Sequence, residues 1–291
     1  DLWSNLRDWL AERGQQIDRV GITAHGPSAV VFRDGALCGR VIPWHEALPD
    51  GCLRPTAGEH VLPSTRAWVP SRLAQWEQEN GPLENGIPIQ IKDYYNWELT
   101  GIVARDSRSM RGYVGEGHFH LPDEIIGRIS KQGAELSGIA QGAEVICGCD
   151  DLTAGVIGLG AEEGVLFNLA NTSEHVGLVG GLPQEGMSWL PPIGQLPALC
   201  YSATPTNAQT SMEDRMQAFQ DVRNRFPAGK MWIGGGWAMD SHLVEVRRAV
   251  RKAGQEVSAL GVAKLAQRRP LAVIFGAGKV GRGFLAQIPQ K

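Results

Sequence analysis

Three short segments carry residue types that could do chemistry: Gly148-Cys149-Asp150-Asp151-Leu152-Thr153-Ala154-Gly155, the turn Asn171-Thr172-Ser173, and the triple glycine Gly234-Gly235-Gly236. An acidic residue at a strand-to-helix turn sits at the mouth of a sheet, where it can take a proton. A Thr-Ser turn offers hydroxyls and backbone N–H groups to a phosphate, and consecutive glycines let a ring or phosphate lie against the backbone. Together they suggest a nucleotide cleft. Each segment also has a plainer reading, in which Asp151 caps its helix, Thr172 and Ser173 make a turn, and the glycines end a strand. Asp150 adds a negative charge beside Asp151, which raises the pKa of one carboxylate if both are buried together.

Two further sets of residues suggest other chemistry. Gly276-Ala277-Gly278-Lys279-Val280-Gly281 is a G-x-G-x-x-G run directly after the apolar stretch Leu271 to Phe275, the context of a dinucleotide fingerprint. A full site needs a βαβ unit and an acidic ribose ligand about 20 residues on, and only eight residues follow Gly283. His118-x-His120 and Cys147-x-Cys149 could make a tetrahedral zinc site if the fold joined them. The plainer reading makes the histidines exposed loop residues and the cysteines small core residues.

Positioning these residues requires alternating strands and helices. Residues 2–13 place Leu2, Leu6, Trp9 and Leu10 at helical spacing before Gly14. Residues 18–24 and 29–33 are short β-branched runs separated by His25-Gly26-Pro27-Ser28, and residues 71–80 and 88–99 are helical. Residues 143–149 read as one buried strand, 151–160 as a helix, and 165–179 as two strands joined at 171–173. Residues 182–209, broken by Pro183, Pro191, Pro192, Pro197 and Pro205, read as loosely structured. Helices are expected over 211–226, 240–251 and 256–266, with a strand at 230–233. The layout is α/β.

The order GCDDLTAGVIGLG (148–160), NTS (171–173), GGGWAMDSHLVEVRRAV (234–250) and EVSALGVAKLA (256–266) resembles the C-terminal lobe of the FGGY carbohydrate kinases. ITAHGPSAVVF (22–32) with PWHE (43–46) is similar to that family's sugar-facing sheet, and IKDYYNWELTGIVARDSRSM (91–110) to its helix and following "LTG" stretch. The resemblance covers roughly residues 1–267. It implies a two-lobed ribonuclease H-like (actin-like ATPase) sugar kinase fold that transfers the γ-phosphoryl of ATP, with Mg, to a small-molecule sugar or polyol. It implies Asp151 as general base; Thr172, Ser173, Gly234, Gly235 and Gly236 for ATP; and His25, Gly26, Trp44 and Glu46 for the sugar, with Glu46 in place of the usual aspartate. Asn171 stands where the family usually has glycine. Against the family, the chain begins downstream of the expected Asp-x-Gly-Thr phosphate loop and has a short second lobe, so the fold is expected to be incomplete.

The expected division is 1–140, a sugar-binding lobe; 141–267, a nucleotide-binding lobe; and 268–291, a linker and the first strand-turn of a Rossmann-like segment. That last segment, with Gly276, Gly278 and Gly281, resembles the start of a mannitol-type polyol dehydrogenase, which would make a fused or partner dehydrogenase domain. Two alternatives stay open: a catalytically inactive kinase-like remnant, and part of a NAD-dependent dehydrogenase fusion.

Composition narrows the classes. Lys and Arg total 28 against 31 Asp and Glu, which excludes the broad positive field that nucleic acid demands. No apolar run approaches the ~20 residues of a membrane span. Five irregularly spaced cysteines are not a disulfide framework, and a reducing cytoplasm fits them.

Overall fold

Strand β1 (Arg19–Ala24) is buried along its whole length. Such continuous burial is the mark of a strand covered on both faces in a largely parallel sheet. The computed structural model describes residues 14–54, 68–113, 115–171, 173–204, 211–227, 229–266 and the strand 271–275, together with Trp3, Ser4, Leu6, Arg7 and Leu10. Trp3, Leu6 and Leu10, from the expected first helix, pack in the core beside β1.

From β1 the chain turns at His25–Ser28 into a small antiparallel sheet of β2 (Ala29–Arg33), β3 (Ala36–Ile42) and β4 (Ile87–Ile89). Helix α1 (Val69–Asn80) lies against it, burying Trp76 and Leu73 with Val31 and Ile42. Helix α2 (Ile91–Thr100) opens on a capping box formed by Gln90 and Asp93 and ends at Gly101. The short strands β5 (Arg105–Asp106) and β6 (Phe119–His120) follow, then β7 (Ile125–Arg128), helix α3 (Lys131–Ser137), β8 (Glu144–Ile146) and β9 (Cys149–Asp150). β8 and β9 both run parallel to β1, in the register Arg19↔Glu144 and Ala24↔Asp150.

Helix α4 (Asp151–Leu159) carries the chain out of this first sheet. The second sheet comprises β10 (Leu166–Ala170), β11 (Glu174–Val179), β12 (Ser188–Leu190), β13 (Leu199–Ala203), β14 (Met231–Gly234) and β15 (Ala249–Arg251), in the order β12-β13-β11-β10-β14-β15. Helix α5 (Met212–Arg225) covers one face, a 3₁₀ turn spans Gly236–Met239, and α6 (Ser241–Val246) precedes β15. Helix α7 (Val257–Ala266) crosses α4 at glycine on both sides. A Cβ on Gly158 would lie 1.8 Å from the Val257 carbonyl oxygen, and one on Gly261 1.6 Å from that of Ala154. The two backbones touch there. Finally β16 (Leu271–Phe275) pairs in parallel with β1, Thr23 opposite Phe275.

Several sequence expectations need correction. The strand expected over 143–149 is interrupted at Cys147-Gly148, where Gly148 adopts φ 71 and its Cβ would lie 2.0 Å from the Ile22 carbonyl oxygen. Residues 144–146 and 149–150 pair within the first sheet, so the passage between sheets comes at Asp151 rather than at residue 141. Residues 182–209 contain two strands, because Pro191, Pro192 and Pro197 lie between β12 and β13 instead of inside them. The helix expected over 240–251 stops at Val246; Arg247 turns inward, Arg248 adopts φ 47, and the remainder becomes β15. The strand at 271–275, expected to open a separate Rossmann-like segment, belongs instead to the first sheet. Gly276, Gly278 and Gly281 lie outside the described residues. Among the described residues no helix is long and apolar enough to cross a membrane, and all five cysteines are free thiols.

Candidate active site

The parallel strands β1 and β9 end level with each other, so His25 and Asp151 are the first residues beyond one sheet edge. Gly26 faces both the Gln90 side-chain oxygen Oε1 and the Asp150 side chain; a Cβ there would lie 3.4 and 3.5 Å from them. Buried Gln90 fixes this loop by accepting from the Ser28 N–H at 2.7 Å and donating to the Ser28 carbonyl at 2.6 Å. His25 Nδ1 lies 3.4 Å from the Ser28 hydroxyl, and burial, then the nearby His45, hold its pKa below the ordinary value.

The two adjacent aspartates have different duties. Asp150 is 1 % exposed and caps α4: one carboxylate oxygen accepts from the Thr153 N–H at 3.1 Å, the other from the Thr153 hydroxyl at 2.8 Å. Its charge is matched by a buried ion pair with Arg111. Asp151, relieved of capping, is the half-buried first residue of α4. Its pKa is pushed up to about 7, first by burial and then by the Asp150 charge, with Arg111 opposing. That value suits a proton acceptor near neutrality.

Arg111 reaches the Tyr201 hydroxyl of the second sheet at 3.3 Å, and the Tyr201 ring lies tilted against that of His175, the second residue after Ser173, with centroids 5.6 Å apart. Burial, then Arg111, depress the His175 pKa to about 3. This chain of contacts joins the aspartate turn to the Asn171-Thr172-Ser173 hairpin. Arg108, 2 % exposed, donates to the Pro197 carbonyl, while its Nε and Nη1 have no hydrogen-bond partner.

In the second sheet β10 and β14 are parallel, Leu169 opposite Gly234, so the hairpin and the triple glycine leave the same edge. Asn171 ties them together, its side-chain oxygen accepting from the Gly236 N–H at 3.3 Å. Ser173 is half-buried, and Thr172 lies outside the described residues. Beneath, Glu174 bonds Asn168 at 2.9 Å and Arg215 at 3.1 Å and pairs with buried Arg247. Trp237, 44 % exposed, lies 5.1 Å from the Arg215 guanidinium, beside the glycines.

The remaining sugar candidates lie after β3. Trp44 is half-buried, and its carbonyl accepts from Arg72 at 2.7 Å. Both Glu46 carboxylate oxygens are held by Arg40, at 2.7 and 2.9 Å, and Arg40 also pairs with Glu79. Hydrogen bonding to Arg40 holds the Glu46 pKa below the ordinary value. His45, between the two expected residues, is the one whose charge reaches His25.

Behind the aspartate turn, Lys92 is 1 % exposed and pairs with Asp93 at 2.5 Å and Asp106 at 2.9 Å. Burial favours its neutral form, yet the charges of Asp106 and Asp93 prevail and hold its pKa well above the ordinary value. Lys92 and Asn96 both donate to the Cys147 carbonyl, at 3.1 and 2.9 Å, fixing the bend that delivers Asp150 and Asp151. Lys92→Met should cost about 3–5 kcal/mol at pH 7, because two carboxylates lose their buried cation. Burial already holds the Asp93 pKa above its ordinary value and Lys92 opposes that rise, so without Lys92 it climbs further and part of the loss should return as the pH is lowered toward 5. Urea unfolding at the two pH values checks this; equal losses at both would refute it.

The four histidines and cysteines that could have made one zinc site are not brought together. Among the described residues the two histidines cluster with Glu124, and Cys147 with Asp93 and Asp106.

No protein-family model matches this chain, and no curated protein matches it. Solved structures do. Xylulose kinase from Rhodospirillum rubrum superposes with TM-score 0.72 at 13 % identity, over 91 % of this chain and 80 % of that one. Ligand-bound xylulose kinase from Lactobacillus acidophilus gives 0.70 at 13 % identity, over 89 % and 77 %. Plasmodium falciparum glycerol kinase with ADP gives 0.65 at 10 % identity, over 86 % and 74 %. The chain therefore has the actin-like ATPase fold of the sugar kinases.

Proposed function

We propose that the chain transfers the terminal phosphoryl group of ATP to a hydroxyl of a sugar or polyol, with Asp151 as the base. The observation that carries this reading is the half-buried Asp151 carboxyl, raised to about 7, next to the His25 loop at the edge of the first sheet. The sugar-kinase fold agrees with it. The acceptor hydroxyl gives its proton to an Asp151 oxygen as its own oxygen attacks the terminal phosphorus; the bond from phosphorus to the bridging oxygen breaks, and ADP leaves. His25, neutral at pH 7, offers an imidazole to a second hydroxyl, and half-buried Trp44 an apolar face. The hairpin at Asn171 and Ser173 with Gly234, Gly235 and Gly236 would receive the nucleotide.

Magnesium, when bound, offsets phosphate charge. Asp150 is already engaged by Arg111 and Thr153, so the oxygen donor this edge leaves for the ion is Asp151. A residue so placed fits a hard cation. The unpartnered donors of Arg108 supply further positive charge near Asp150.

The test is ADP release with MgATP across a panel of ketoses, aldoses and polyols, with binding followed by calorimetry. Turnover with at least one acceptor is expected. Folded protein that binds ATP but transfers to none would favour the inactive remnant, and failure to bind ATP at millimolar concentration would overturn the proposal.

A further inference from the structure

His118 and His120 flank Phe119 at the start of β6 and so project to one side of the chain. Their rings meet edge to face with centroids 4.5 Å apart. Glu124, four residues on, comes back beneath them, its Oε1 2.7 Å from His120 Nδ1. The other carboxylate oxygen accepts from the Leu121 N–H at 3.1 Å, which fixes the orientation of the group. One ligand atom from each of the three residues lies within 4.8 Å of the others. Two imidazoles and a carboxylate are a donor set for a borderline divalent cation, and four-coordinate zinc at about 2 Å from each donor needs them about 3.4 Å apart. Small side-chain rotations close that gap. His118 is exposed and the other two are half-buried, so a cation has a route in and a water can take the fourth position.

The second cluster of ligand-type residues, Asp93, Asp106 and Cys147, does not compete, because the Lys92 ammonium already stands among them. The histidine cluster also has a mechanical link to the aspartate turn. The Glu124 carbonyl accepts from the Cys147 N–H, and the Pro122 carbonyl from the Gly148 N–H, both at 2.9 Å. The loop that carries the ligands thus braces the bend leading to Asp150 and Asp151.

We propose that His118, His120 and Glu124 form a site for a divalent cation of the zinc class, and that its occupation stiffens the brace on Cys147-Gly148. The cation takes His120 as a neutral imidazole, with the ring proton on the nitrogen that does not face the ion. The test is calorimetric titration of the chelator-treated full chain with zinc chloride, repeated with cobalt as an optical probe. One ion should bind per chain, without the sulfur-to-cobalt charge-transfer band that a cysteine site would show. Affinity should fall about tenfold or more in His118→Ala and in His120→Ala, and in Glu124→Gln, with circular dichroism unchanged. With zinc bound, the Cys147 and Gly148 amides should exchange hydrogen more slowly. No binding by the folded chain, or binding retained in both histidine variants, would overturn the site; unchanged exchange in the zinc-bound chain would overturn the brace.

Discussion

Asp151→Asn is expected to lower phosphoryl transfer about 10²–10⁴-fold, the usual worth of a positioned base, while making the folded protein more stable at pH 8. The opposed signs come from the same group. Its folded pKa, about 7, lies above the 3.8 of a free aspartate. Between those values the unfolded chain has released the proton and the folded chain has not, so rising pH favours unfolding. The cost is absent below pH 3.8 and fully present above 7. The full shift would amount to about 4 kcal/mol; solvent screening of a half-buried carboxyl brings the expected gain to about 2 kcal/mol. Urea unfolding should show it at pH 8 and not near pH 4, and the wild-type rate should rise with pH through about 7. Wild-type turnover in the variant would remove Asp151 from the role. Loss of turnover without the stability gain would mean that the carboxyl is not strained.

Arg111→Met is expected to be among the most damaging single changes to stability. Asp150 is 1 % exposed and has Arg111 as its paired cation. Removing one member of a buried ion pair strands the other, at a cost of about 3–5 kcal/mol. Arg111 also opposes the upward shift of Asp151, so the pH at which the rate rises should move higher in any variant that still folds. The double variant Arg111→Met/Asp150→Asn removes the stranded charge and should recover most of the stability. If the double variant is no more stable than Arg111→Met, the damage comes from lost packing rather than lost charge.

The parts of the site that depend on local pattern were readable beforehand. Asp151 at the start of a helix, a hairpin turning at 171–173 and a strand running into the triple glycine all follow from chain-local periodicity and turn chemistry. The groups that set the electrostatics did not show themselves. Arg108, Arg111 and Lys92 are charged, and a charged residue is presumed exposed; only the fold brings Asp150 to Arg111 and Asp93 with Asp106 to Lys92. The bend at Cys147-Gly148 escaped notice for a related reason, since the donors that hold it are Lys92 and Asn96, far back in the chain. Glu124 was missed as the partner of the two histidines because a turn, not a helix or strand, returns it to them. The placement of β16 beside β1 is a choice of parallel partner, which no short window of sequence encodes.

The backbone contact between α4 and α7 has a mechanical consequence. The chain leaves the first sheet through α4 and comes back toward it along α7, which packs near β1, Gly21 facing Val262. A methyl group at Gly158 or Gly261 would strike the opposite backbone, so even alanine at either position has to force the two connections apart. Asp151 is the first residue of α4, and its carbonyl accepts from the Ser258 hydroxyl of α7 at 2.9 Å. Whatever pries the two helices apart therefore also shifts the residue proposed as the base.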